Sequence, residues 1–582
     1  MYSKILKPLI FSALVLLLLT GAAAAQEWVV TSPGDIDKVS SSTAVTLTNL
    51  TLRQAISKAV TGDTIVFAEN ISTVNIQYGS LNISRDITIG GNNKVTVRRD
   101  SSPITQEMPI FVVTGSHVAF RQLTVENGYT MNGSGGAFLI DNADVSLDSC
   151  TIQKNKAETG GAISVINGGS VRLNTVSIYK NNATNEGSAI YIKNGTVDAQ
   201  NTIIEGHSDR YSVIKLEKGN LSLTDSRIVS NEIKSKGSPI DADAGTSIVV
   251  RGSTVAANSG TESAGISTKG SLTVENSIFE NGKSTGAGGG ISMREGSSGA
   301  IRYSLFRNNT ANADGGGIYQ TASSTVSITD CVFLNNVANY GGAFFGRGTF
   351  TIDSCTAVAN AAKFYGGAIA SWNNATATIN GTILVQNEAK GNNTVKDPSG
   401  GGLNISRSDA VISNNVIVGN IDPRNIDYGE QEATVRSNGN NLVGVYRGTG
   451  RFPIEASDMT GVGPGSVFAL DGSGNVVLTR SMGNTAGYEK IHLYTVELNS
   501  SPNNPASFLK GNQTPSQPPQ NETPENTTPD QTEPGQQEPP EQTEPNPVWR
   551  TILKYGLIVV VSIILFSVIA YLFLSRERRK YR

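Results

Sequence analysis

The sequence predicts an all-β ectodomain formed by a single right-handed parallel β-helix with coils of about 26 residues. Two residue series recur at this spacing, and the segments between them alternate apolar and polar residues, as half-buried strands do. One such coil cannot bury its apolar face alone, whereas stacked coils satisfy each other's backbone groups. The net charge of -3 gives no indication of nucleic-acid binding.

The first series places a large apolar residue after one or two small residues, as in Gly161-Ala162-Ile163 and Gly316-Gly317-Ile318. Successive members lie 24 to 27 residues apart, except for a last interval of 34 residues. That interval contains Gly391-Asn392-Asn393-Thr394, a polar segment typical of a surface loop. The members are Ile87, Phe111, Phe138, Ile163, Ile190, Ile214, Ile240, Ile266, Ile291, Ile318, Phe344, Ile369 and Leu403.

The second series consists mainly of asparagines and keeps step with the first. We expect its members at turns, with left-handed backbone angles and with side-chain amides that hydrogen-bond from coil to coil. The glycine pairs of the first series are expected at tight corners. The second series is Asn155, Asn181, His207, Asn231, Asn258, Asn281, Asn309, Asn336, Asn360, Asn387 and Asn420.

The three cysteines occupy one position of the coil, because Cys150, Cys331 and Cys355 each lie five residues before a member of the second series. This position predicts small, buried core residues that stack with Ser and Thr of other coils. Cys331 and Cys355 belong to adjacent coils, so a disulfide between them is an alternative, although parallel stacking would strain it. The pattern predicts no metal site and no cofactor.

The two ends of the sequence predict secretion and attachment to a membrane. Residues 1–25 have the basic start, apolar run and small-residue end of a signal peptide. Residues 501–548 are a linker rich in Pro, Glu and Thr, which we expect to be disordered. Residues 549–574 contain an uncharged apolar stretch that predicts one transmembrane helix, and the basic residues 575–582 predict a cytoplasmic tail.

Sixteen Asn-x-Ser/Thr sequences are candidate glycosylation sites and are compatible with an extracellular ectodomain and linker. None lies in the short tail. The asparagines are Asn49, Asn70, Asn82, Asn132, Asn182, Asn194, Asn220, Asn308, Asn374, Asn380, Asn392, Asn404, Asn499, Asn512, Asn521 and Asn526.

The motifs resemble the right-handed β-helix repeats of polymorphic-outer-membrane-protein-like surface proteins. The resemblance rests on Gly160-Gly161-Ala162-Ile163 and Gly366-Gly367-Ala368-Ile369, with Phe306-x-x-Asn309 and Phe333-x-x-Asn336. It implies a pectin-lyase-like solenoid over residues 61–500. Residues 26–60 resemble the opening region of such domains, and Leu52, Ala55, Ile56, Ala59 and Val60 share a helical face that would cap the first coil.

Because many parallel β-helix proteins degrade polysaccharides, catalytic groups need to be considered. The sequence lacks the adjacent Asp pair and the Gly-His-Gly of the pectin-degrading hydrolases. The best constellation joins His207, Asp209 and Arg210 with Asp241 and Asp243 of a nearby coil. An alternative is a degenerate repeat whose charges are solvated.

Aromatic residues form a second candidate site. Tyr340 and Tyr365 directly precede glycine pairs one coil apart, and Phe364 and Trp372 lie close in sequence. Stacked rings on an outer corner would bind the face of a sugar, or would only shield the corner.

Together these features favour a non-enzymatic surface protein, either adhesin-like or structural, whose rod contacts glycans or envelope proteins. The alternative is a membrane-tethered polysaccharide lyase or glycoside hydrolase. A spacer without a ligand is a third hypothesis, since fold alone does not determine function.

Overall fold

The computed structural model describes residues 25–36, 49–102, 105–391, 399–448, 452, 454–470 and 476–478. Residues 1–24 of the predicted signal peptide, the linker, the predicted transmembrane helix and the basic tail lie outside these ranges. Asn392, Asn499, Asn512, Asn521 and Asn526 also lie outside them. Within the described ranges, no helix combines the length and apolar character needed to cross a membrane.

The described chain forms an all-β parallel solenoid of about 14 turns. Each turn contributes strands to three long parallel series, and every strand pairs with its equivalents in the turns before and after it. The alternation of apolar and polar residues places one face of each strand in the core, as the burial of Val171 and Leu173 shows. The predicted β-solenoid is thus confirmed.

The first strand series begins at the apolar residues of the sequence repeat. Its strands are Leu81–Ile83, Phe111–Thr114, Phe138–Asp141, Ile163–Ile166, Ile240–Ala242, Ile266–Thr268, Ile291–Met293, Ile318–Gln320, Phe344–Gly346, Ile369–Trp372, Leu403–Ser406, Tyr428–Gln431 and Tyr446–Arg447.

The second strand series follows the first within each coil and contains the most regular alternation. Its strands are Glu27–Val30, Thr64–Phe67, Asp144–Asp148, Ser170–Asn174, Thr246–Arg251, Ser271–Glu275, Ser298–Arg302, Thr325–Thr329, Thr349–Asp353, Thr376–Asn380, Asp409–Ser413 and Thr434–Ser437.

The third strand series precedes the asparagine position. Its strands are Thr73–Ile76, Thr151–Gln153, Ser177–Tyr179, Ile203–Glu205, Arg227–Val229, Thr254–Ala256, Ile278–Glu280, Leu305–Arg307, Val332–Leu334, Thr356–Val358, Ile383–Val385, Val416–Val418 and Leu442–Val443.

Four longer strands run through a corner and serve two series. Ile190–Gln200 and Ile214–Thr224 join the first series to the second, whereas Ile87–Arg99 and His117–Glu126 join the second to the third. Near the end of the described chain, Pro464–Ser466 forms a 3-10 turn and Phe468–Leu470 pairs antiparallel with Val476–Leu478.

A fourth series of short strands forms an arm of each coil, between the asparagine position and the next first-series strand. Its strands are Lys156–Ala157, Asn182–Ala183, Ser208–Asp209, Glu232–Ile233, Ser259–Gly260, Lys283–Ser284, Thr310–Ala311, Val337–Tyr340, Ala361–Tyr365 and Glu388–Ala389.

The register of the strands confirms most of the first sequence series. Phe111 pairs with Phe138, and the pairing continues from coil to coil as far as Leu403 and Tyr428. Ile87 was wrongly assigned to this series, because Leu81 pairs with Phe111 whereas Ile87 pairs with Val118. The strand Ile87–Arg99 turns its corner at Gly90-Gly91-Asn92-Asn93, where Asn92 and Asn93 have φ values of 52° and 58°.

The asparagines of the second series form a hydrogen-bonded ladder inside the wall of the solenoid. Asn336 is fully buried, and its Nδ2 donates to Oδ1 of Asn360 at 2.9 Å and to the Phe306 carbonyl at 2.8 Å. Its Oδ1 accepts from the backbone N and from Nδ2 of Asn309 at 3.1 and 3.0 Å. The predicted coil-to-coil amide bonds are confirmed.

The left-handed backbone angle lies one residue before the ladder position. Lys154, Asn308 and Asn335 have φ values of 55°, 55° and 54°, each directly before a ladder asparagine. The expected left-handed angle was therefore assigned to the wrong residue. Asn281 is likewise a turn residue with φ 55°, and Gly282 occupies the ladder position and donates to Asn309 instead.

Glycines allow the corners of successive coils to approach closely, as expected. Gly341 has φ 59°, a conformation that an L side chain rarely adopts. At Gly342, a Cβ would collide with the carbonyl oxygen of Gly367 in the next coil. The glycine pair thus serves both the turn and the stacking.

The cysteines are buried core residues, as predicted. Cys331 and Cys355 are present as thiols. The Sγ of Cys331 donates to the Thr329 carbonyl at 3.3 Å, as the Ser304 hydroxyl does to Arg302 at 2.8 Å in the previous coil. Burial raises the pKa of Cys150 to about 11, which disfavours its thiolate.

The one α-helix among the described residues, Leu52–Lys58, lies beside the first coils. Thr51 and Gln54 form a capping box, in which the Gln54 side chain accepts a hydrogen bond from the backbone N of Thr51 at the start of the helix. Leu52, Ala55, Ile56 and Ala59 are buried as expected, but the helix ends before Val60, which is 52% exposed and was wrongly placed on that face. Its function as a cap for the open end stays a prediction.

Replacing Asn336 with alanine is expected to lower the free energy of unfolding by about 3 kcal/mol, because buried partners in Asn309 and Phe306 lose their hydrogen bonds. Urea unfolding followed by circular dichroism measures this change. Asn312→Ala, at an exposed position of the neighbouring arm, is the control and should change stability by less than about 0.5 kcal/mol. Similar losses in both variants would contradict the stabilising role of the ladder.

Candidate functional site

The structure separates the residues of the predicted catalytic constellation. His207 takes an asparagine position in the ladder and is 1% exposed, with its Nδ1 3.2 Å from Oδ1 of Asn231. Burial lowers the pKa of His207 to about 4, so the ring is neutral at pH 7. Its Nε2 has no hydrogen-bond partner but is enclosed in the wall. A substrate has no access to this imidazole.

Asp209 and Arg210 lie on the arm that follows His207. Asp209 is buried and accepts a hydrogen bond from the Ala183 backbone of the previous coil at 3.1 Å. Burial raises the pKa of Asp209, although its hydrogen bonds from the backbone of Ala183 and Arg210 act in the opposite direction. Arg210 is exposed and lies over the ring of Tyr211 at 5.7 Å. These two residues belong to the arm rather than to a site shared with Asp241.

Asp241 and Asp243 instead join a charged network on the outer face of the first strand series. Nζ of Lys215 lies 2.9 Å from Oδ1 of Asp241, 3.1 Å from Oδ2 of Asp243 and 3.7 Å from Oε2 of Glu186. Lys215 is directly beside Asp241 because the two residues pair in register on adjacent strands. We refer to Glu186, Lys215, Asp241, Asp243, Glu262 and Arg294 as the charged network.

Arg294 extends this network by two coils. Its Nη2 lies 3.1 Å from Oδ1 of Asp241, and its Nη1 lies 2.9 Å from Oε2 of Glu262. Burial by itself lowers the pKa of Lys215, but the carboxylates of Asp241, Glu186 and Asp243 raise it above the ordinary value. Burial also raises the pKa of Glu186. Lys215 is therefore held as an ammonium ion, which cannot abstract a proton.

The four predicted aromatic residues come together on the outer surface. The ring centroid of Tyr340 lies 5.7 Å from that of Tyr365, 5.1 Å from that of Phe364 and 5.4 Å from that of Trp372. The stacked pair arises because Tyr340 and Tyr365 are register partners on adjacent arms. All four side chains are partly exposed.

Two further rings enlarge this cluster. Tyr319 and Phe345 are register partners on the first strand series, with centroids 5.7 Å apart and nearly parallel planes. Phe345 is 1% exposed and lies 6.1 Å from Tyr340, so it forms the floor of the cluster. We refer to Tyr319, Tyr340, Phe345, Phe364, Tyr365 and Trp372 as the aromatic patch.

Sequence reasoning missed Tyr319 and Phe345 although a signal was present. Each directly follows a member of the first series, Ile318 or Phe344, and therefore points outward in neighbouring coils. At the next coil the small Ala370 takes this position, and Trp372 packs against Tyr340 and Tyr365.

Charged side chains border the aromatic patch. Arg347 lies over the ring of Phe345 at 5.3 Å and Lys363 over that of Phe364 at 5.1 Å. Asp314 occupies the arm one coil before Tyr340, and burial raises its pKa to about 6 although the positive charge of Arg347 acts in the opposite direction. The patch thus combines apolar ring faces with polar edges.

A separate cavity of about 640 Å³ lies on the second strand series near the first coils. His117 lies between Asp86 and Asp144, with its Nε2 2.8 Å from Oδ2 of Asp144. The Ser170 hydroxyl donates to the same carboxylate, not to the imidazole. Ser170 is therefore not positioned as a nucleophile activated by His117.

The candidate glycosylation sites differ in exposure. Asn182 and Asn380 are partly buried, and Asn404 is 1% exposed, which leaves no room for a glycan in the folded chain. Whether these asparagines carry glycans stays a prediction. The exposed candidates in the described residues are Asn49, Asn70, Asn82, Asn132, Asn194, Asn220, Asn308 and Asn374.

Comparison with known proteins supports a right-handed β-helix. A family model described as "Right handed beta helix region" matches residues 214–384. No curated protein and no solved structure matches the chain. The matched region contains the whole aromatic patch and most of the charged network, but its description specifies neither a ligand nor a reaction.

Replacing Lys215 with methionine is expected to destabilise the protein by about 3 kcal/mol, because Asp241 loses its closest cation in a mostly buried setting. The loss should shrink as the pH falls towards 5. Burial already raises the pKa of Glu186, and removing the Lys215 charge raises it further, so that Glu186 takes up a proton in the folded state. Chemical unfolding at pH 7.5 and pH 5 measures both effects.

Lys193→Met is the matched control for this variant, because Lys193 pairs with Glu217 at 3.3 Å but its side chain is 61% exposed. Surface pairs of this kind contribute little to stability. If Lys215→Met behaved like Lys193→Met, the charged network would not stabilise the fold.

Proposed function

We propose that this chain is a secreted, membrane-tethered surface protein whose β-helical rod binds glycans without catalysis, as an adhesin or as a component of the cell envelope. The proposed secretion and attachment rest on the signal-like residues 1–25, the linker at 501–548 and the apolar stretch within 549–574. A rod held away from a membrane presents its long outer faces to other molecules.

The aromatic patch is the observation that carries the proposed glycan binding. Its partly exposed rings, Tyr340, Tyr365 and Trp372, cover adjacent coils on one outer face. Sugars present C–H groups on their ring faces and hydroxyl groups at their edges. Aromatic faces bordered by Arg347 and Asp314 complement both features.

The alternative function is a tethered polysaccharide lyase or glycoside hydrolase. The observation that suggests it is the charged network, which places acidic and basic side chains on the same outer face. A lyase needs a neutral base, and the raised pKa of Lys215 keeps that side chain protonated. A hydrolase needs accessible carboxylates, whereas Asp241 is 6% exposed and bound to both Lys215 and Arg294. Binding without catalysis is therefore the better supported function.

Replacing Tyr340 and Tyr365 together with alanine is expected to weaken glycan binding by about 30-fold, if each ring contributes about 1 kcal/mol to stacking on a sugar. A glycan array identifies the ligand, and isothermal titration calorimetry measures the change in affinity. Tyr78→Ala is the control, because Tyr78 is 46% exposed and lies at the opposite end of the described chain. Unchanged binding in the double variant would remove the patch from consideration.

An assay of reducing-sugar release on the same glycans tests the enzymatic alternative. The proposed function predicts no release by the wild-type protein. Release that is abolished by Asp241→Ala would contradict a purely binding role and would favour the hydrolase or lyase.

A further inference from the structure

The aromatic patch has a carboxylate at one end. Asp314, Tyr340 and Tyr365 each directly precede a glycine at the same position of the arm. The backbone N of Gly315 donates to the Tyr340 carbonyl at 2.9 Å, and that of Gly341 donates to the Tyr365 carbonyl at 3.0 Å. Asp314 therefore continues the Tyr340 and Tyr365 row by one coil, with a negative charge in place of a ring.

The negative charge of the Asp314 carboxylate is only partly compensated by neighbouring positive charge. Among the described residues, none forms an ion pair with Asp314, and Arg347 acts on it only from a greater distance. The side chain is partly buried, so the carboxylate has lost part of its hydration. A site of this kind gains stability when a further positive charge approaches it.

Aromatic rings stand beside the carboxylate. The charge of Asp314 acts on both Tyr319 and Tyr340, whose pKa values are raised mainly by burial. Arg347 already lies over the face of Phe345 at 5.3 Å, so this part of the patch accommodates a cation on a ring. A carboxylate bordered by aromatic faces is an arrangement that binds organic ammonium groups.

We propose that the Asp314 end of the aromatic patch recognises a sugar with a positively charged amine, that is, a non-acetylated amino sugar. This inference rests on the proposed glycan binding and specifies its ligand. The sugar ring lies on Tyr340 and Tyr365, and its ammonium group pairs with Asp314 next to Tyr319. A neutral sugar leaves the carboxylate uncompensated, and a uronic acid is repelled by it.

A lysine side chain of a protein would offer the same ammonium group. The sugar is favoured because the adjacent Tyr340 and Tyr365 rings are stacked in rank, with planes 17° apart, along the rod. A row of rings along the rod offers stacking positions to successive residues of a polysaccharide. One lysine side chain would need only a single group of surrounding rings. A lysine-containing peptide is therefore included in the test.

Ammonium recognition should depend on pH. The pKa of the Asp314 carboxyl group is raised to about 6, so the group is charged at pH 7.5 and largely neutral at pH 5. Arg347 is the charged group that acts on Asp314, and the neighbouring Tyr319 and Tyr340 have raised pKa values and stay neutral. Preference for the amine should thus be lost on acidification.

The experiment titrates the full chain with a glucosamine oligomer and with the N-acetylglucosamine oligomer of the same length, at low salt. At pH 6.5, where Asp314 is mostly ionised and part of the oligomer's amines are protonated, the wild-type protein should bind the glucosamine oligomer about threefold more tightly. At pH 5, where Asp314 is largely neutral, the two oligomers should bind equally. Asp314→Asn, which keeps the side-chain shape, should abolish the preference without weakening binding of the acetylated oligomer. Asp198→Asn, at an exposed position on another strand series, should preserve the preference.

The outcomes separate the inference from the proposed function. Equal binding of the two oligomers at pH 6.5, or a preference that survives Asp314→Asn, overturns the amine recognition while leaving glycan binding intact. Binding of neither oligomer overturns the inference, and a glycan array without any ligand then overturns the proposed function as well. Binding of a lysine peptide through Asp314, without binding of either oligomer, overturns the recognition of an amino sugar. A melting curve of each variant excludes misfolding as the cause.

Discussion

Parallel hydrogen bonding in a fixed register is the constraint on which the rest of this structure depends. Each strand pairs with the equivalent strands one coil before and after, so residues about 26 positions apart become direct neighbours. The buried ladder from Asn309 through Asn336 to Asn360 reinforces this register, because each amide accepts from one coil and donates to the next. A slip would leave polar groups without partners inside the wall.

Because of this register, the surface chemistry of the rod is organised in rows. The outward position after each first-series residue holds Lys215 beside Asp241 in one part of the rod, and Tyr319 beside Phe345 in another. A substitution at one position therefore changes the neighbours in the coils on both sides, and not those next to it in sequence. A chemically distinct surface cluster forms where consecutive members of a row carry the same or complementary groups. The paired charges of Lys215 and Asp241 and the stacked rings of Tyr319 and Phe345 are two examples.

The repeat in the sequence predicts the position of a residue within its coil. It does not predict contacts between side chains that belong to different rows of the solenoid. The coil position of Cys331 and the ladder role of Asn336 followed from spacing alone. Ile87 was misassigned because its spacing of 24 residues from Phe111 fits the repeat, although the Gly90-Gly91-Asn92-Asn93 corner follows it. His207 is instructive, since its place in the asparagine series already indicated a ladder residue, whereas its charged neighbours suggested catalysis. The effect of Arg347 on Asp314 was not predictable, because it joins an arm to a turn of the following coil.

The two clusters on the outer face differ in how completely their charges are satisfied, and this difference supports the aromatic patch as the proposed ligand site. In the charged network, Lys215 and Arg294 both contact Asp241, and additional carboxylates complete each cation. A ligand that enters there must first break buried ion pairs, at a cost of several kcal/mol. In the aromatic patch every ring except the buried Phe345 stays partly exposed, and Asp314 has only the more distant Arg347 to offset its charge. A ligand gains contacts there without breaking any ion pair, so the network serves the fold and the patch remains available for recognition.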